Sequence, residues 1–262
     1  MPNFIAISKE VCADKTWKSP SGYGFAAGYA TVPVVAAELP SLVPSMPLGF
    51  AKNGDAYDLV AICSLHPSTN LYVAPDGRWL GGYVPALLRS HPFRLARVQG
   101  QENSILCVDE EAIAGQGQGS PFFDGTGEAT RTVKDILSML TQIDRSGITT
   151  RVAIAALDSA GLIQPWPLKL QQEGLPDANV EGLFRVDEPA INALSEADFL
   201  KLRGNGAFAV AYAQLLSMHQ LPLLQRLSQI QAELKAQENA QKDALAALEN
   251  LFQDDGTITF TY

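Results

Sequence analysis

NLYVAPDGRWLGGYVPALLRSHPFRLARVQGQENSILCVDEE, residues 70–111, sets strand, turn, helix and strand signals side by side in one short stretch. Asp76-Gly77 is a strong turn dipeptide, and Trp79 and Tyr83 follow it as large anchors. Pro85 suits the first turn of a short helix over 83–89, and His91-Pro92 stops that helix. Runs 70–74, 93–99 and 104–108 read as strands on either side of it. Working outward toward the N-terminus, 4–8 and 23–27 also carry strand patterns. Residues 48–52 and 57–64 are two β-prone runs separated by Asn53-Gly54-Asp55, a hairpin turn signal. The run 32–46, with Pro33, Pro40 and Pro44, predicts a short helix broken into turns.

Toward the C-terminus the period changes. Gly-rich 115–127 reads as an exposed loop anchored at its centre by Phe122-Phe123. From Glu128 the apolar residues Val133, Ile136, Leu137 and Leu140 share a helical face, with Gly147 as a stop and a second helix over 149–160. Residues 163–171 and 180–187 look like a hairpin, followed by helices over 188–203 and 206–220. Strands first and helices later argue for an α+β fold with a mostly antiparallel sheet in the N-terminal half. From Leu223 a heptad seam runs through 227, 230, 234, 237, 241, 244, 248 and 251, with Gln237 and Gln241 as a polar middle. The predicted organisation is an α+β domain over 1–220 and a long amphipathic helix plus a terminal strand, 258–262, within 221–262. That helix either folds back on its own domain or pairs with a second copy as a homodimer.

The 262 residues are 47% hydrophobic and 18% charged, enough to bury a full core. A net charge of -9 speaks against nonspecific nucleic-acid binding and against an anionic membrane surface. The longest apolar runs fall short of the ~20 residues that a spanning helix needs, so no transmembrane segment is predicted. The N-terminus lacks the pattern of a conventional signal peptide, and three scattered cysteines fit a reducing compartment. A cytoplasmic location is the expectation, with export by a signal-free route left open.

No catalytic triad, phosphate loop or metal-ligand spacing stands out, and no cofactor or metal is predicted. Cys63 and His66 have the spacing of half a zinc site but lack a second pair, and buried thiols are the simpler reading. Cys107, Asp109 and Glu110, at a strand end, read as binding groups, as an acid–base or cation site, or as a solvated acidic transition. Tyr72, Trp79, Tyr83 and Phe93 read either as core or as the wall of a recognition groove rimmed by Arg78, Arg89 and Arg94. A charge held beside fixed apolar anchors favours a salt bridge or an acidic ligand for Arg78 and Arg89.

Several of these segments together resemble the SapC family of bacterial proteins, named after a surface-layer locus. The resemblance rests on Val32-Pro33, 37–40, 70–73, 76–79, 83–85, Leu88-Arg89, Pro92-Phe93, 106–110, 121–124, 182–188 and 211–217. It implies a soluble protein of about this size, linked by name to the cell surface and often accompanying proteins of outer-membrane uptake or oxidative modification. No catalytic residue carries over from it. The expected function is that of an accessory protein whose Arg78, Trp79, Tyr83, Arg89, Cys107, Asp109 and Glu110 recognise a peptide or protein partner. The alternatives are an enzyme using Asp109, Glu110 and Cys107 or His66, and a structural surface-layer component.

Overall fold

Two β-prone runs and the turn signal Asn53-Gly54-Asp55 between residues 48 and 62 make a hairpin, and that hairpin becomes the centre of the larger sheet. The computed structural model describes residues 3–97, 104–170 and 178–253. In chain order the elements begin with β1 (Phe4–Ala6), α1 (Lys9–Cys12), β2 (Thr16–Trp17), β3 (Thr31–Pro33), α2 (Leu39–Leu42), β4 (Leu48–Asn53) and β5 (Ala56–Ile62). They continue with α3 (Ala86–Arg89), β6 (Phe93–Arg97), β7 (Ser104–Asp109), β8 (Ile113–Ala114), β9 (Ser120–Pro121) and α4 (Arg131–Ser159). β10 (Ile163–Pro165), β11 (Leu168–Leu170), β12 (Ala178–Val180), β13 (Leu183–Val186), α5 (Glu188–Asn192), α6 (Glu196–Arg203), α7 (Ala207–Ser217) and α8 (Leu221–Gln253) complete the described chain.

The fold is α+β, with antiparallel sheets, helices after them and a long C-terminal helix. β4 and β5 pair from Leu48↔Ala61 to Asn53↔Ala56, and Gly54 takes the left-handed φ of 61° that their two-residue turn requires. They centre a five-stranded sheet of order β10-β13-β4-β5-β3, so strands from 163–186 return to the N-terminal hairpin. A separate three-stranded sheet has the order β1-β7-β6, and β2 lies between β8 and β9. β11 pairs with β12, and two cores serve these sheets. Phe50, Ile62, Tyr72, Leu157 and Val210 belong to the larger cluster, and Trp17, Phe93, Val108, Phe122 and Val133 to the smaller.

One helix joins the two cores. α4 runs unbroken for 29 residues, placing Val133 and Leu140 in the smaller cluster and Ala153, Ile154 and Leu157 in the larger. This corrects the predicted stop at Gly147. That glycine is buried inside the helix, where a Cβ would sit 3.7 Å from Val35, and a continuous packed stripe outweighs its weak helix propensity.

Other local expectations also yielded to packing. Residues 24–26 form a 3-10 turn instead of a strand. Residues 70–74 form no strand beyond a Val73↔Trp79 bridge, because the Asn70 amide donates to the Ala26 carbonyl and its oxygen accepts from the Tyr72 N–H. The predicted helix 188–203 is two, α5 and α6, with the Ser195 hydroxyl accepting the Asp198 N–H at the start of the second. The predicted strand 258–262 lies outside the described residues.

α8 starts on the body. Leu224 and Leu227 are buried, and the Gln231 amide donates to the carbonyls of Leu71 and Val73. Along the heptad seam, Leu223, Ile230 and Leu234 are half-buried, whereas Gln237, Gln241 and Ala244 are exposed. Among the described residues no helix is long and apolar enough to cross a membrane.

Candidate functional site

The residues singled out at the start of α3 are tied together around Glu38, a buried carboxylate that sequence reasoning did not single out as a site. The Ala86 N–H donates to Glu38 Oε1 at 2.6 Å, and the Tyr83 hydroxyl donates to the same oxygen at 3.1 Å. The Val35 N–H donates to Oε2 at 3.2 Å. Arg89 compensates the charge at one remove, since its Nη2 donates to the Tyr83 hydroxyl at 3.0 Å and its Nε to the Val84 carbonyl at 3.0 Å. Burial, then the Glu38 carboxylate, push the Tyr83 phenol above its ordinary pKa. Trp79 donates its indole N–H to the Tyr83 carbonyl at 2.9 Å and stacks on the buried Tyr72 ring at 5.3 Å. Trp79, Tyr83 and Arg89 are therefore engaged within the protein, and their effect is to fix where α3 points. One sequence signal marked Glu38: it is the lone charged residue between Thr31 and Ala51.

α3 forms one wall of a groove whose floor is the smaller sheet. Leu106 and Val108 of β7 face the core, so by alternation Cys107 and Asp109 face the other way. Phe4 pairs with Asp109 and Arg94 with Cys107, which puts all four on that face. The Arg94 guanidinium carbon lies 3.6 Å from the Phe4 ring centroid. The groove encloses about 760 Å³. Phe4, Phe25, Tyr29 and Leu87 line it with apolar surface, and Lys18, His91, Arg94, Asp109 and Glu111 with polar groups. Tyr29 is 45% and Leu87 47% exposed, large side chains left open to solvent.

The electrostatics of the groove are mixed. Asp109 is buried, and its carboxylate accepts the Glu111 N–H at 3.2 Å. His91 stacks on Phe25 with ring centroids 3.9 Å apart. Its burial holds the imidazole below its usual pKa, with the Asp109 charge pulling the other way. The Cys107 thiol is pushed up by burial, against a smaller opposing pull from Arg94.

The predicted site residues thus divide among several places. Asp109 lines the groove, and Cys107 sits beside Arg94. Arg78 is on the surface with Asp76, its Nε 3.4 Å from the carboxylate, and its N–H holds the Asp76 carboxyl below the usual range. Glu110 accepts from the Asn3 amide at 2.6 Å. Cys63 lies in the larger core with its thiol pushed up to about 12, and His66 lines a different cavity with Leu168 and Leu221. Phe93 packs edge-on to Trp17 in the smaller core, apart from Tyr72 and Trp79 in the larger. Among the described residues no three His, Cys, Asp or Glu side chains are grouped to hold a metal ion. Phe4, Lys18, Phe25, Tyr29 and Leu87 escaped the sequence reading because separate segments deliver them.

Fold and groove together define an α+β protein with two cores, a shared helix, and an aromatic surface groove rimmed by both signs of charge. The family model described as SapC matches residues 7–227, and the chain belongs to that family. The match ends within the first turns of α8, the part of that helix buried on the body. No curated protein and no solved structure matches the chain.

Proposed function

We propose that this SapC-family chain is an accessory binding protein that takes a peptide segment of a protein partner in the groove between α3 and the β1-β7-β6 sheet, in the service of a cell-surface or outer-membrane process. The observation that carries the reading is the pairing of exposed Tyr29 and Leu87 with a floor of regular strands. Open apolar side chains beside a rigid scaffold gain contact area with little ordering cost on binding. Trp79, Tyr83 and Arg89 serve the groove by holding α3 through Glu38. In this reading Cys107 and Glu110, next to Asp109 in sequence, and Arg78 on the surface extend the recognition surface. An enzyme built on Asp109, Glu110 and Cys107 or His66 is less well supported. The Cys107 thiol is raised above its ordinary pKa, which lowers its thiolate fraction, and His66 lines another cavity. Self-association through the exposed seam residues Gln237, Gln241 and Ala244 completes the proposal, and sedimentation of the full chain over a concentration series tests it.

A random dodecapeptide library displayed on phage tests the groove. Wild type should enrich sequences that Leu87→Asp no longer binds and that a control on exposed Lys201 of α6, Lys201→Ala, still binds. Enriched peptides indifferent to Leu87→Asp, or no enrichment, would overturn the proposal.

A further inference from the structure

We infer that the groove selects a segment carrying one carboxylate beside an apolar or aromatic side chain, and that Arg94 is the residue that reads the carboxylate. The inference rests on the groove being the peptide site proposed above and names what that site prefers.

Arg94 lies over the face of Phe4, its guanidinium carbon 3.6 Å from the ring centroid. Stacking occupies the face of the planar group, while its N–H bonds point outward in the plane. Neither Arg94 nor Lys18 makes an ion pair or a side-chain hydrogen bond among the described residues. The ring contact restricts the long Arg94 side chain before any ligand arrives. A carboxylate therefore meets a pre-set fork able to give two charge-assisted hydrogen bonds. Lys18, lining the same groove, adds a second positive charge. In a chain of net charge -9, these two cations give the groove the positive charge that a carboxylate requires.

The groove's own acids limit the ligand to one negative group. Asp109 is 6% exposed and already accepts the Glu111 N–H, whereas Glu111 is exposed at the rim. A run of acidic residues would be repelled by both, whereas a single carboxylate can be held by the Arg94 fork. The stacked Phe25 and His91 rings, with Tyr29 and Leu87, supply the surface for the neighbouring apolar side chain.

The test uses dodecapeptides selected by the wild-type full chain and lost by Leu87→Asp. They should share one Asp or Glu next to an aromatic or branched residue. Replacing that acid by its amide in the synthetic peptide should weaken binding by about tenfold in a fluorescence titration. Arg94→Gln should weaken the acidic peptide to the same level and erase the difference between acid and amide, with Arg94→Lys in between because it keeps charge without the fork. If Arg94→Gln disturbs folding, the acid-to-amide change on the wild-type protein still decides. Groove-dependent peptides without an acid, or equal affinity for acid and amide, would overturn the inference and leave the peptide groove standing. Absence of any groove-dependent peptide would sink both.

Discussion

The Glu38 carboxylate and the Tyr83 hydroxyl, 3.1 Å apart across 45 residues of sequence, join the turn before α2 to the segment that aims α3. Glu38 is 4% exposed and receives three donors, so its removal strands groups that burial keeps from water. Glu38→Ala should lower stability by about 3 kcal/mol. Glu38→Gln should cost less, since its amide oxygen still accepts. Urea unfolding with an unchanged slope checks both, and an alanine variant within about 0.5 kcal/mol of wild type would show that the network is dispensable.

Gly147 offers a prediction of opposite sign. A Cβ there would meet the Arg151 side chain at 3.6 Å and Val35 at 3.7 Å, ordinary contact distances. The added methyl restricts the unfolded chain and suits a helix interior, so Gly147→Ala should stabilise by about 0.5–1 kcal/mol. A fall in the unfolding midpoint would mean that Val35 and α4 are packed too tightly there to yield.

His91 couples the groove to pH. Its folded-state pKa lies below the ordinary value of about 6.5 because burial disfavours the imidazolium, with Asp109 opposing. The unfolded chain therefore binds the proton more readily, and His91's contribution to stability is full above about pH 6.5 and declines as pH falls below it. His91→Phe keeps a ring against Phe25 and should flatten that part of the stability–pH curve. Equal slopes for wild type and variant between about pH 5 and 7 would remove His91 from the account.

Much of the fold was legible where the signal is local. The 48–62 hairpin follows from two β-prone runs around the Asn53-Gly54-Asp55 turn, both contained within the pairing itself. α4 was only half legible. A glycine rule applied to Gly147 predicted two helices, but the stripe from Val133 to Leu157 is held by both cores at once, and no short window contains them.

The α+β class was legible in short-range pattern, the SapC family in a resemblance of motifs that the 7–227 match then showed, and the candidate site groups in the 70–111 stretch. Only the tertiary structure decided which of its groups face inward. Trp79, Tyr83 and Arg89 look, in sequence, as free to grip a ligand as Arg94 does. Hydrogen bonding reverses that. Glu38 and local carbonyls take up the first three, while no partner from elsewhere in the described chain reaches the fork of Arg94. Whether a polar side chain is spent inside the molecule or left for a partner depends on groups brought near it by long-range folding, and that is information a linear spacing does not carry.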